Sequence, residues 1–196
     1  MGQLTILISL LLNFSFDESI ISRVNSYCTE IKGKTFNEIL YVSVSKQKMY
    51  HIIKNNIVNE YPVSTSKKGV GNKKNSFMTP YGLHYIREKH GSETPLNGRM
   101  VGRVFYGQIA TIHNDSTSSK TDDITTRILW LSGMEKNVNK GGNLDSYNRY
   151  IYIHGTSEEG KIGTPVSNGC IRMLNNDIIE LYNNVDIGTK ILILVN

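Results

Sequence analysis

From residue 39 onward the chain is written in short β-prone segments parted by polar turns. That rhythm limits its fold more than any other feature. "ILYVSVS" begins at Ile39, "KMYHIIK" at Lys48 and "IVNEYPVSTS" at Ile57, with "SKQK" and "KNN" between them. Val, Ile, Tyr and Thr suit a pleated surface, so such runs read as a meander of strands. "TPYGLHYI" (79–86), "RILWLSG", "RYIYIHG" and a closing "GTKILILVN" continue the pattern. The expected fold class is mainly β, with a few short helices. One is "NNDIIELYNNV", with Asn175 or Asn176 as its cap and Ile178, Ile179 and Leu181 as apolar positions. Residues 87–126, rich in Gly, Ser, Thr, Asn and Asp, read as long loops, which in a compact domain often carry function.

The amino terminus is different. "LTILISLLLNF" is too short an apolar run to span a bilayer and has the length of a signal-peptide core. No Lys or Arg precedes Arg23, so the positive region of such a signal is missing. Ile20, Val24, Cys28 and Ile31 then fall on one helix face, with Asp17 as N-cap and Gly33 near the stop. Cys28 on that stripe reads as a buried structural thiol. The expected organisation is a hydrophobic segment and candidate signal peptide (1–16), an amphipathic helix with linker (17–38), and one folded domain (39–196). A chain of 196 residues, 39% hydrophobic, can bury one such core.

The formal net charge of +5 suits an anionic surface such as lipid, wall polymer or nucleic acid, and selects none of them. There is no dense Lys/Arg stripe, and "SKKGVGNKK" resembles a solvated hairpin tip, so no nucleic-acid partner is expected. Two cysteines are too few for a disulfide scaffold, and no Cys/His cluster suggests a metal. His51, His84, His90 and His113 are scattered and read as surface or satisfied core residues.

One stretch carries chemistry: "IYIHGTSEEGKIGTPVSNGCIRMLNNDI", residues 151–178. A cysteine is a useful nucleophile only as its thiolate, so it needs a base or a lowered pKa. Cys170 lies in a turn before a helix, where backbone amides can face negative charge, and Gly169 permits a tight turn. His154 ends a strand, where a rigid element can hold a base. A neutral imidazole needs a partner on its second nitrogen. Glu158 and Glu159 are near in sequence but sit in a segment read as a mobile loop. A backbone carbonyl is the alternative. These residues alone leave catalytic and structural readings both open.

"HGT" followed by "SNGCIRM" resembles the signature of the L,D-transpeptidase catalytic domain family, of the YkuD and ErfK/YbiS type. "YPVSTSKKGVGNKKNSFMTPYGLHYI", "TTRILWLSG", "GGNLDSYNRYIYIHGT" and "GTKILIL" are similar to family stretches in the same order, so the resemblance covers about residues 39–196. It implies a curved, mixed-sheet β-sandwich and a cysteine acyltransferase acting on peptidoglycan stem peptides. Cys170 is implied as nucleophile, His154 as base and acid, and the Gly155 carbonyl as third member of the triad. The amides of Gly169 and Cys170 are implied as oxyanion donors, Ser167 as loop support, and Arg172 as a brace or a contact to a substrate carboxylate. No metal or organic cofactor is implied, and carbapenem-type drugs are implied inhibitors. A periplasmic or wall-associated location follows from the substrate. Asn168 stands where many members have histidine. It can donate a hydrogen bond but cannot shuttle a proton. Ser146 stands where Thr is expected. Water as acceptor implies an L,D-carboxypeptidase, and a protein lysine implies an anchoring enzyme. Binding without turnover implies a decayed site. A Cys28–Cys170 disulfide, which would silence the nucleophile, is the remaining alternative.

Overall fold

The computed structural model describes the backbone of residues 2–196 and side chains from Asp17 onward. The signal-peptide reading of residues 1–16 concerns side chains outside the described residues. Helix α1 runs Gly2–Lys32. Asp17 therefore lies inside a helix and does not cap one, because the apolar run upstream continues the same helical backbone. The stop is where the sequence puts it, with the Gly33 amide closing on Thr29 O at 2.8 Å. Among the described residues no helix is long and apolar enough to cross a membrane.

The strands are β1 (Glu38–Ser43), β2 (Lys48–Ile53), β3 (Asn56–Pro62), β4 (Gly82–His90), β5 (Gly98–Val101), β6 (Val104–Ile109), β7 (Ile124–Gly133), β8 (Tyr152–Thr156), β9 (Ile171–Met173) and β10 (Lys190–Leu194). Helix α2 spans Asn175–Asn184. The strands form one mixed sheet in the order β3-β2-β1-β10-β4-β7. At β7 the sheet forks. β4 and then β5, with β6 beyond it, occupy one edge of β7; β8 and then β9 occupy the other. β1 with β10 and β8 with β9 are the parallel pairs. The architecture is mainly β with two α-helices, as the sequence predicts.

Both faces of the central strands are covered, so alternate residues feed two cores. Leu40 and Val42 of β1 and Ile191 and Ile193 of β10 join Ile178 and Leu181 of α2. Ile39 and Tyr41, with Leu192, face the other way, onto Ile20, Val24 and Cys28 of α1. Cys28 is thus a buried core thiol, 1% exposed. A third cluster of Met100, Ile128, Trp130 and Tyr152 sits at the fork. Both cysteines are free, and Cys170 packs against that third cluster, so the disulfide alternative is overturned.

Residues 87–126 are less loop-like than expected. β4 continues to His90, and β5 and β6 form a hairpin turning at Gly102 and Arg103. β6 is solvent-exposed along most of its length, so it carries no one-sided apolar alternation to reveal it. α2 also departs from expectation. Neither Asn175 nor Asn176 caps it; Leu174 occupies that position without a side-chain bond, and Asn175 is turned inward.

Candidate active site

The parallel pair β8–β9 sets His154 opposite Arg172, in register with Ile153 opposite Ile171. The chain between these strands returns Cys170 beside Tyr152, whose amide lies 3.4 Å from Sγ. The turn is held from outside by the segment after β3: the Ser167 amide donates to Thr65 O at 2.9 Å, and the Arg172 amide to Ser64 O at 2.9 Å. Ser167 latches it from within. Its hydroxyl donates to Cys170 O at 2.6 Å and accepts from the Gly169 amide at 3.2 Å. Gly169 has φ +127°, a conformation that L side chains rarely adopt.

His154 is buried, and its Nδ1 lies 2.7 Å from Gly155 O. A carbonyl only accepts, so Nδ1 carries the proton and Nε2 presents its lone pair. Nε2 has no protein partner among the described residues. Burial lowers the imidazole to about 4. Burial also pushes the Cys170 thiol up to about 11, against the pull of the Tyr152 amide, Arg172 and Arg149. The resting pair is therefore neutral thiol and neutral imidazole. Sγ points to Tyr150 O at 3.5 Å, and no hydrogen bond joins it to His154.

Gly155 is demanded by crowding. A Cβ there would stand 2.5 Å from Asn175 Oδ1 and 2.9 Å from Thr125 O. Asn175 ties three elements together. Its Oδ1 accepts from Thr125 Oγ1 at 2.6 Å and Thr126 Oγ1 at 2.5 Å, while Nδ2 donates to Thr156 O at 2.8 Å. Glu159 accepts from both nitrogens of Asn175 at 2.7 Å.

Arg172 is 3% exposed and paired with two carboxylates: Nη1 donates to Glu158 Oε2 at 2.7 Å and Nη2 to Asp122 Oδ1 at 2.5 Å. Both bonds go to carboxylates of the protein itself, and the side chain also borders a recess beside Lys67 and Lys161. Glu158 is 6% exposed, held by this pair and by the Ser119 amide at 2.7 Å, and like Glu159 it makes no hydrogen bond to His154. Exposed Asn168 donates to Asp122 Oδ2 at 3.0 Å, so Asp122 joins the 110–123 segment to both residues. Asp122, fifty positions from Arg172, carries no sequence signal of this role. In fully buried His84, Nδ1 donates to Gly82 O at 2.9 Å and Nε2 accepts from the Ser146 hydroxyl at 2.8 Å, which makes that histidine a satisfied core residue.

Cys170 opens into a cleft of about 580 Å³ lined by Lys74, Asn75, Phe77, Arg149, Tyr150 and Asn168 among others. A second recess of about 320 Å³ lies on the other side of Asn168, beside Lys67, Asp122, Lys161 and Arg172. The side chains packed behind the thiol, outside the cleft lining, form an aromatic wall. Trp130 stacks on Tyr147 at 4.1 Å and meets Tyr152 edge-on at 5.5 Å. Arg103, from the β5–β6 turn, lies over Trp130 at 4.4 Å and donates to Tyr152 Oη at 3.1 Å. Sequence reasoning missed this wall and Arg149, because their convergence depends on the fork at β7.

Residues 37–193 match the YkuD family, described as the L,D-transpeptidase catalytic domain. The curated relatives include YqjB of Bacillus subtilis (strain 168), 49% identical over 45 residues, and YkuD of the same organism, 43% identical over 60 residues. Those alignments cover 23% and 28% of this chain and only 26% and 37% of the relatives. Both bear L,D-transpeptidase names. Among solved structures, the L,D-transpeptidase from Xylanimonas cellulosilytica superposes with TM-score 0.50 at 16% identity, over 82% of this chain and 62% of that one. The Ldtfm–avibactam carbamoyl enzyme superposes with TM-score 0.51 at 15% identity, over 83% of this chain and 50% of that one. At such identity these two matches speak to the fold. The family match spans most of the chain: this protein belongs to the YkuD family of L,D-transpeptidase catalytic domains.

Proposed function

We propose that the protein is a cysteine-dependent peptidoglycan L,D-transpeptidase. The observation that carries this is the His154 ring, fixed by Gly155 O in the tautomer that leaves Nε2 able to take a proton, two residues along β8 from Tyr152, whose amide meets the Cys170 thiol of the cleft. His154 Nε2 removes the Cys170 proton as sulfur attacks the carbonyl of the third residue, diaminopimelate, of a tetrapeptide stem. The peptide bond breaks, the terminal D-alanine leaves with that proton, and a thioester forms on Cys170. An amine from a second stem then attacks, giving its proton to His154, and the thiolate leaves and is reprotonated. The product is a 3→3 cross-link. In this reading the Cys170 amide donates to the charge that develops on the carbonyl oxygen. The Gly169 amide faces the same turn and must exchange its long bond to Ser167 for the oxyanion. No step calls for a metal or organic cofactor. The substrate class carries with it a periplasmic or wall-associated location. A carbapenem would acylate Cys170 by the first half of this sequence.

The test is incubation of the protein with disaccharide-tetrapeptide, read by mass spectrometry beside Cys170→Ala. A Cys170-dependent dimer lacking one D-alanine is expected. Tripeptide monomer alone would replace transfer by hydrolysis, and product from Cys170→Ala would overturn the proposal.

A further inference from the structure

With Arg172 enclosed by Glu158 and Asp122, the carboxylates of a stem peptide need another cation. We propose that Arg149 and Lys74 form a carboxylate-binding subsite in the Cys170 cleft that holds a free carboxylate of the donor stem. The identity of the peptide rests on the transpeptidase reading; the subsite itself rests on the charge balance of the cleft.

The cleft lining contains Lys74 and Arg149 and no Asp or Glu. Arg149 is half-buried, and its acceptors are all neutral: Gly71 O at 2.9 Å, Met78 O at 2.6 Å and Ser76 Oγ at 3.4 Å. Among the described residues neither cation has a carboxylate in ion-pair range. A half-buried guanidinium normally meets an anion, since neutral acceptors replace its hydration only in part. Its burial disfavours the charged form, and Cys170 stands close enough for the two to interact electrostatically. While the thiol is protonated the cleft therefore holds two positive charges and no negative one. Three acceptors fix the guanidinium plane in advance, which lowers the ordering cost of a planar, two-oxygen ligand. Lys74 is exposed at the rim and adds a point charge. A stem peptide offers two carboxylates near the scissile bond: the terminal one of the leaving residue and the side-chain one of the third residue.

The test is calorimetric titration of the full chain carrying Cys170→Ala, which binds without turnover. Three tetrapeptides are compared: the free acid, its C-terminal amide, and the carboxamide of the third residue. The free acid should bind roughly 10- to 100-fold tighter than one of the amides, and the amide that loses affinity identifies the carboxylate. Arg149→Gln in the same background should reduce that ratio to less than about threefold. Arg149 also clamps residues 71–78, so Arg149→Gln lowers thermal stability whatever its role; the ratio between peptides is the readout a clamp alone would not move. If Arg149→Gln does not fold, exposed Lys74→Gln should still cut the ratio by about two- to threefold. Equal binding of all three peptides, no binding of any, or an unchanged ratio in the variant read overturns the subsite. Discrimination without Cys170-dependent turnover in the wild type keeps the subsite and removes the transpeptidase. Turnover without discrimination does the reverse.

Discussion

The resting state of Cys170 gives the sharpest test of the site. Its thiol is pushed from 9.0 up to about 11, chiefly by burial, with the Asp122 charge adding to the effect. At pH 7 the thiolate fraction is then about 10⁻⁴, roughly 100-fold below that of a thiol at 9.0. A more basic thiolate is also a better nucleophile, which returns about tenfold of that deficit. Alkylation of Cys170 by iodoacetamide at pH 7 should therefore run about tenfold slower than that of a free cysteine. The rate should climb by about tenfold per pH unit toward pH 11. His154→Ala should leave this profile in place, because the resting imidazole is neutral and makes no bond to sulfur, yet it should abolish turnover. The assay is alkylation followed by peptide mapping, which separates Cys170 from Cys28, 1% exposed and sterically closed. A rate plateau at or below pH 7 that collapses in His154→Ala would reveal a preformed thiolate–imidazolium pair and refute the reasoning.

Three further outcomes follow from the same contacts. Gly155→Ala drives a methyl onto Asn175 Oδ1 at 2.5 Å, so urea unfolding should show a loss of about 2–4 kcal/mol and turnover should fall with the displaced carbonyl; a loss under about 0.5 kcal/mol contradicts the packing. His84 and His154 are both lowered by burial to about 4, so the folded state prefers them neutral. Their stabilisation is present above an ordinary histidine pKa of about 6.5 and is lost as pH falls toward 4, by about 3 kcal/mol each; pH-dependent urea unfolding that is flat across this window refutes it. Arg172→Met leaves buried Glu158 with the Ser119 amide at 2.7 Å and Lys161 at 3.4 Å as its remaining partners, and should cost about 3 kcal/mol by denaturation; a cost within about 0.5 kcal/mol contradicts the role of a brace.

The strand rhythm was legible because β1, β2 and β10 are buried on both faces and rich in Ile, Val, Leu and Tyr. The α1 stripe of Ile20, Val24 and Cys28 was legible because helical period alone selects it. β9 was not, since three residues next to a turn are too few to show a period. The β5–β6 hairpin was not, since its outer strand faces solvent. Asp17 failed as a cap because capping is decided by where the backbone leaves the helix, and here it does not leave.

The sequence by itself determined the residue types of the site: a cysteine after glycine, a histidine at a strand end, and the order of motifs around them. Those are local, and local chemistry is written in consecutive residues. Only the tertiary structure decided how each is used. It bonded His154 to the neighbouring carbonyl and enclosed Arg172 between Glu158 and Asp122. It left Arg149 beside the thiol with neutral partners alone. The last two outcomes depend on contacts across 14 to 78 positions of chain. Such contacts are fixed by the parallel register of β8 and β9 and by the fork at β7, which no run of neighbouring residues encodes.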